Sequence, residues 1–182
     1  LAATLLAGIM SSAASAGVVV VGTSPARGCY ESARAENGSQ VALEGCNAAF
    51  DSGMLSFYEQ VATHVNRGIV RLFGDDTLGA IVDFDRAIAL DPTQAESYLN
   101  KGAAYLKLER NAEARALFDE ALQRRTKRPE LAYFGRAIAN ETTGNIHAAY
   151  LDYQRAQAAA PKWAEPAREL TRFQIRRTGG SL

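Results

Sequence analysis

Small and aromatic residues recur at fixed offsets through the middle of this chain. In three stretches a small residue is followed by an alanine twelve positions later, an aromatic residue four positions after that, and a second alanine three positions further on. Because small residues let two helices cross closely, and a large ring fills the space between successive hairpins, this pattern predicts three stacked helix–turn–helix units. The three sets are Gly68, Ala80, Phe84 and Ala87; Gly102, Ala114, Phe118 and Ala121; and Ala137, Ala149, Tyr153 and Ala156, with periods of 34 and 35 residues.

Capping and turn residues indicate where the helices of this region, residues 56–163, begin and end. Ser56 and Glu59 form a capping box, which opens a helix that runs to about Phe73. Similar signals predict helices over about 77–91, 93–108 and 111–125, and a last hairpin that begins at Pro129, turns at Thr143-Gly144-Asn145 and stops before Pro161.

Two shorter helices are predicted before the repeats, over about 25–36 and 40–52, within a unit that spans 25–55. Asn37-Gly38 separates them, and Ser39 is placed to cap the second. Cys29 lies on the first helix and Cys46 on the second. In an oxidising compartment we expect a disulfide between them, worth about 3 kcal/mol by loop closure, because a helical pair this short buries little surface. The alternative is two buried free thiols.

The end of the repeat array needs a cover, and residues 164–177 are predicted to form a capping helix. Ala167, Leu170 and Phe173 share one face of it. The arginines of this helix lie off that apolar face. The alternative interpretation is a basic helix that binds a partner. Those arginines are Arg168, Arg172, Arg176 and Arg177, and residues 178–182 are expected to be a disordered tail.

The first sixteen residues carry no charge and end in the small residues Ala14-Ser15-Ala16. They are typical of a secretory signal peptide that has lost its basic start, with cleavage after Ala16; a membrane anchor or a disordered leader is the alternative. We therefore expect a periplasmic or secreted protein whose mature chain has no stable membrane span. Arg27 disfavours lipid attachment at Cys29. Residues 17–24, which include the valine run 18–21, are predicted to be an extended arm.

The period and spacing of the repeats resemble those of the tetratricopeptide repeat family over about 61–163. The resemblance implies an all-α, right-handed solenoid whose first helices line a concave groove that binds a protein or peptide partner. Carried over by offset, the groove residues are Val65, Asn66, Ile69, Glu96, Leu99, Asn100, Ala103, Leu131, Phe134, Ile138 and Glu141, flanked by Ala62, Leu72 and Leu106.

This predicted groove is largely apolar, so we expect it to be occupied. One candidate occupant is a peptide or helix from another cell-envelope protein, and the other is the chain's own arm. The family's clamp for acidic C-termini uses Lys, Arg and Asn. Asn100 fits that clamp, but Val65, Ile69, Leu131 and Gly135 stand at its other places, which disfavours binding of chaperone tails.

The composition and charge of the chain indicate no function beyond protein binding. Lys and Arg number 20, as do Asp and Glu, so the formal charge of zero gives no global attraction to nucleic acid or anionic lipid. His64 and His147 lack partners at metal-ligand spacing, and Asp75-Asp76 lies in a predicted turn. We expect no metal, cofactor or catalysis, and interpret the basic run 124–128 as a solvated loop rather than a docking point for an acidic partner. Two alternatives to a protein-binding function remain. One is a structural envelope subunit that forms homo-oligomers through its repeat edges, and the other is an enzyme with an unrecognised site.

Overall fold

The computed structural model describes residues 16–173, and within that range the regular structure consists of nine helices without strands. The all-α prediction is confirmed. Outside the described residues lie most of the predicted leader, the last four residues of the predicted capping helix and the predicted tail. The helices are α1 (Ala26–Arg34), α2 (Gln40–Asp51), α3 (Phe57–Phe73), α4 (Thr77–Leu90), α5 (Ala95–Lys107), α6 (Asn111–Gln123), α7 (Pro129–Thr142), α8 (Ile146–Ala159) and α9 (Ala164–Leu170).

The pair α1–α2 packs beside α3 and is held by a disulfide between Cys29 and Cys46. Both cysteines are fully buried, and Ser39 caps α2 by accepting a hydrogen bond from the Ala42 N–H. The structure thus contains the expected disulfide rather than the two free thiols that were the alternative. The bridge fixes two short helices that have little core of their own, and so keeps α1 against the repeats.

Aromatic rings close the repeats by packing onto glycines. A Cβ atom at Gly68 would lie 2.5 Å from the Phe84 ring, and one at Gly102 would lie 2.9 Å from the Phe118 ring. Phe118 also reaches the next repeat, since a Cβ at Gly135 would lie 2.3 Å from its Cζ. These distances leave no room for any side chain at the glycines, so the ring of Phe118 joins the second repeat to the third.

The hairpin turns of the three repeats share one backbone feature. Asp75, Glu109 and Gly144 occupy the same place in their repeats and have φ values of 62°, 58° and 82°. A left-handed residue directly after a helix ends it and reverses the chain, and glycine adopts that conformation most easily. Asp76 follows and caps α4 through the Gly79 N–H, so the acidic pair has a structural role in this turn.

The first helices of successive repeats, α3, α5 and α7, contact one another and form the inner wall of the stack. α9 covers the last hairpin by packing on α8, and the Phe173 ring lies 5.7 Å from that of Tyr153. The helix ends at Leu170, earlier than predicted, because the chain turns there and brings Phe173 back onto Tyr153. Arg172 binds Glu141 and Glu169 instead of standing free of the array.

A buried carboxylate links the helices of the first repeat. Asp83, on α4, is 1% exposed and accepts hydrogen bonds from Arg67 and Arg71 of α3, while His64 Nδ1 lies 3.1 Å from its Oδ1. Burial alone would raise the pKa of Asp83, but the hydrogen bonds from His64 and Arg67 and the charges of the two arginines outweigh it, so the pKa is lowered. The His64 ring also packs 4.5 Å from that of Phe50, which agrees with a packing role for this histidine.

Among residues 16–173, none of the helices has both the length and the apolar character needed to cross a bilayer.

Replacement of Phe118 by alanine is expected to lower the free energy of unfolding by about 3–5 kcal/mol, because it removes a ring that is 2% exposed and leaves a cavity between two repeats. Leu78→Ala is the matched control, since Leu78 is 69% exposed and its loss should change stability by no more than about 0.5 kcal/mol. Urea unfolding measures both. Equal effects of the two substitutions would contradict the assigned packing.

Asp83→Asn is expected to destabilise the fold by about 3 kcal/mol at neutral pH, the low end of the range for a broken buried pair, because Arg67 and Arg71 keep some contact with water. The folded pKa lies below the ordinary value of 3.8, so this contribution is present above that pH and is lost as the pH falls through the folded pKa. The stability gap between wild type and variant should therefore narrow below about pH 4. Asp85→Asn, at an exposed ion pair with Lys101, is the control; a gap for Asp83→Asn that is independent of pH would refute the argument.

Candidate functional site

The predicted groove residues of the first two repeats lie together on the inner wall. Val65, Asn66 and Ile69 of α3 are at most 1% exposed, and Leu99 and Asn100 of α5 are at most 2% exposed. In an empty groove such residues would face water. They are buried because a segment of the chain itself lies across them.

That segment comprises residues 16–21 and is called here the bound segment; it consists of Ala16 and the first part of the predicted arm. Its exposure alternates as in an extended strand: Ala16, Val18 and Val20 are 3%, 6% and 2% exposed, whereas Val19 and Val21 are 43% and 82% exposed. One face of the segment therefore packs into the groove and the other faces solvent. Of the two candidate occupants, the structure contains the chain's own arm.

Asn66 binds both polar groups of one residue in the bound segment. The Val18 N–H donates to Asn66 Oδ1 over 2.9 Å, and Asn66 Nδ2 donates to the Val18 carbonyl oxygen over 2.9 Å. A primary amide is suited to this task because it carries a donor and an acceptor side by side. The buried backbone groups of Val18 are thereby both satisfied without a neighbouring strand.

Asn100 repeats this arrangement one repeat further along the stack. The Ala16 N–H donates to Asn100 Oδ1 over 3.4 Å, and Asn100 Nδ2 donates to the Ala16 carbonyl oxygen over 3.2 Å. Asn66 and Asn100 are 34 residues apart and so occupy the same place in successive repeats. The distance from one repeat to the next thus corresponds to two residues of extended chain. The bound segment runs antiparallel to the stack, because the first repeat holds residue 18 and the second repeat holds residue 16.

Two tyrosines hold the rest of the bound segment. The Tyr58 hydroxyl donates to the Val19 carbonyl oxygen over 2.8 Å, and the Tyr30 ring of α1 stands beside Gly17. Partial burial and the negative charge of Glu96 raise the pKa of Tyr58, so its phenol remains a donor at neutral pH. After Val21 the chain leaves the groove at Gly22, which has a φ of 96°.

The two acidic groove residues are used within the protein. Glu96 is 7% exposed, and its Oε1 accepts a hydrogen bond from the Lys127 N–H over 3.0 Å, which ties α5 to the loop before α7. Glu141 accepts from the Tyr153 hydroxyl over 2.9 Å and pairs with Arg172. The sequence prediction placed both in the groove, but their carboxylates brace the repeats.

At the third repeat the groove changes character. Phe134 and Ile138 of α7 are buried, and the Phe134 ring lies 4.7 Å from that of Trp163, at the start of α9. Ala103 and Leu131 are near them, and the inner surface here is an apolar pocket. Ala16, the first residue of the bound segment, belongs to the same apolar cluster as Leu99, Leu131 and Phe134.

Sequence reasoning missed four participants: Ala16, Tyr30, Tyr58 and Trp163. Ala16 was assigned to the leader, and Tyr30 and Tyr58 lie outside the repeat positions from which groove residues were inferred. A signal for the clamps did exist, since asparagine stands at the same repeat position in Asn66 and Asn100.

The chemistry that this groove offers is recognition of a main chain. The polar groups that bond the bound segment are the neutral amides of Asn66 and Asn100 and the phenol of Tyr58, and apolar side chains surround them. His147 is exposed, and residues 16–173 hold no cluster of three or more His, Cys, Asp or Glu side chains arranged to bind a metal ion.

Comparisons with known proteins agree with this architecture. A family model described as TPR repeat matches residues 78–109, and one described as tetratricopeptide repeat matches residues 95–127. No curated protein matches the chain. Among solved structures, the TPR domain of Arabidopsis OM64 is similar in fold, with a TM-score of 0.62 and 22% sequence identity over 66% of this chain and 99% of that one. These matches show that the chain contains tetratricopeptide repeats within residues 78–127, and the stacked hairpins and the similar structure show a helical-repeat fold of the same kind around them.

Proposed function

We propose that this protein binds an extended segment of a partner protein in its groove, with Asn66 and Asn100 gripping the partner's main chain, and that its own bound segment is the resident occupant. Tetratricopeptide repeats generally mediate protein–protein interaction. The observation that carries the proposal is the pair of two-bond contacts that join each asparagine to one residue of an extended chain.

A clamp on peptide groups accepts many sequences, because each residue other than proline presents the same N–H and C=O. Selectivity then comes from the side chains that face inward at alternate positions. The groove is apolar and the chain carries no net charge, so burial rather than long-range attraction supplies the affinity. This arrangement is suited to holding a partner.

The bound segment competes with any partner for the same contacts. A short tether gives an attached ligand an effective concentration in the millimolar range. A partner must therefore bind more tightly than the free segment would, or the segment must be pulled away. We propose that this internal competition keeps weak, unspecific peptides out of the groove.

We also propose that the protein works in an oxidising compartment, the periplasm or the extracellular space. The Cys29–Cys46 disulfide supports this, because such bonds persist where thiols are not kept reduced. It also fixes α1, which carries Tyr30 against the bound segment. Mass spectrometry of the native protein, with and without reduction, tests the oxidation state and the position of the N-terminus together.

The first test uses two double variants with the same added charge. Val18→Glu/Val20→Glu places carboxylates on the inward face of the bound segment, where burial is costly, and should release it. A labelled peptide with the sequence of residues 16–21 should then bind roughly tenfold or more tightly than it binds wild type, because the tethered competitor is gone. Fluorescence anisotropy measures this affinity.

Val19→Glu/Val21→Glu is the matched control, since these side chains face solvent and their replacement should leave the labelled peptide excluded. Circular dichroism confirms that both variants keep their helices. The proposal fails if the peptide binds neither variant, or binds both equally. Sedimentation of the first variant shows whether the released segment enters a second copy of the chain instead.

A second test concerns the clamp itself. Asn66→Ala leaves the Val18 N–H and C=O without partners and removes two hydrogen bonds, each worth about 0.5–1.5 kcal/mol. Amide exchange in residues 16–21 should accelerate by roughly 5- to 100-fold, as followed by hydrogen-exchange mass spectrometry. Asn145→Ala, at an exposed turn, is the control. Unchanged exchange in Asn66→Ala would show that the segment is held by other contacts.

A further inference from the structure

An apolar pocket lies at the third repeat, beyond the last clamp. It has a volume of ≈ 40 Å³ and is called here the third-repeat pocket. Leu99 and Leu106 of α5 form one side, Leu131 and Phe134 of α7 form the other, and Trp163 and Gly135 complete it. Such a lining favours an apolar occupant over water, which would find few hydrogen-bond partners.

The register of the clamps shows which ligand residue reaches this pocket. Asn66 holds residue 18 and Asn100 holds residue 16, so each repeat advances the ligand by two residues toward its N-terminus. Gly135 stands 35 residues after Asn100, at the equivalent place in the third repeat. The next inward ligand position is therefore the one two residues before that of Ala16.

At that position the groove cannot clamp the backbone but can receive a side chain. Gly135 has no side chain, and any replacement would collide with Phe118, since even a Cβ would lie 2.3 Å from its Cζ. Gly135 itself lines the third-repeat pocket, so an inward side chain at this ligand position meets apolar groups instead of an amide. The same inward face changes from a polar grip at the first two repeats to an apolar recess at the third.

We propose that the third-repeat pocket determines which partner is preferred, by accepting a large aliphatic side chain such as leucine two residues before the partner residue held by Asn100. This rests on the proposed function. The preferred ligand is an extended segment with a large aliphatic residue, a small residue and a β-branched residue at alternate positions. The last two correspond to Ala16 and Val18, which fill the two clamp positions of this chain.

A peptide that continues the clamped sequence of this chain toward its N-terminus carries an alanine at the first of these positions, since residue 14 is Ala. A leucine there would bury three more carbon atoms in the third-repeat pocket. A partner with leucine at this position therefore gains burial in addition to the backbone hydrogen bonds that it shares with the bound segment.

The experiment uses the full chain carrying Val18→Glu/Val20→Glu and three labelled peptides. The parent peptide has the sequence of residues 13–21 with a polar C-terminal tag. The second peptide carries Ala14→Leu, and the third carries Ser15→Leu, which adds a leucine at the adjacent, outward position. The Ala14→Leu peptide should bind roughly 10- to 50-fold more tightly than the parent, and the Ser15→Leu peptide within about threefold of it.

A variant of the protein tests the pocket from the other side. Ala103 lines the third-repeat pocket, and Ala103→Phe, added to the same background, should fill it. The Ala14→Leu peptide should bind this variant no more tightly than the parent peptide does, and a remaining advantage of tenfold or more would overturn the inference.

The outcomes separate the two proposals. Equal binding of the parent and Ala14→Leu peptides, with binding still weakened by Asn66→Ala, overturns the pocket inference and leaves the proposed function standing. An equal gain from Ser15→Leu overturns it as well, because the effect is then general hydrophobicity. Failure of every peptide to bind overturns both proposals. Self-association that Ala103→Phe abolishes would assign the pocket to a second copy of the chain and also overturn the inference.

Discussion

The contact between the Phe118 ring and Gly135 determines how the second and third repeats stack and where the row of asparagine side chains along the inner wall ends. The ring fits only because Gly102 and Gly135 carry no side chains, so it locks the second repeat to the third. The position that glycine occupies in the third repeat is the one that asparagine occupies in the first two. The packing that holds the array together therefore ends the row of backbone clamps after two members.

The row of clamps makes the groove a substitute for a neighbouring strand. In a sheet, the N–H and C=O groups of an extended chain are satisfied by another backbone. In this protein, Asn66 and Asn100 supply the same pair of groups from helices, and the Tyr58 hydroxyl adds one more. The bound segment can therefore be extended, with one face buried against the helices of the inner wall, although no strand among the described residues lies beside it. The disulfide contributes by fixing α1, the helix that follows the bound segment in the chain.

Most of the fold could be predicted because its determinants recur locally. The capping box at Ser56, the turns after each first helix and the small residues at crossings all act within one hairpin. The candidate groove could also be placed, since repeat offsets identify Val65, Asn66 and Leu99 together. The pair of Arg67 with Asp83 also carried a repeat signal, since Arg136 and Asp152 hold the same places in the third repeat and are likewise paired. The contact of Trp163 with Phe134 could not be predicted, because it joins residues whose separation in sequence follows no repeat rule. The internal roles of Glu96 and Glu141 were missed for the same reason.

The least predictable feature was the place of Ala16. Its composition and neighbours are typical of the end of a leader, yet its two backbone groups are held by Asn100 and its methyl group is buried. The two clamps consequently differ in what they require of the chain. Val18 lies within the arm, so Asn66 keeps its ligand wherever a leader is cut before residue 17. Asn100 keeps its ligand only where residue 16 is retained. Without residue 16, the Asn100 side chain would lose both of its hydrogen bonds to the bound segment. Occupancy of the Asn100 clamp therefore depends on one residue, Ala16, whereas the Asn66 clamp depends on Val18.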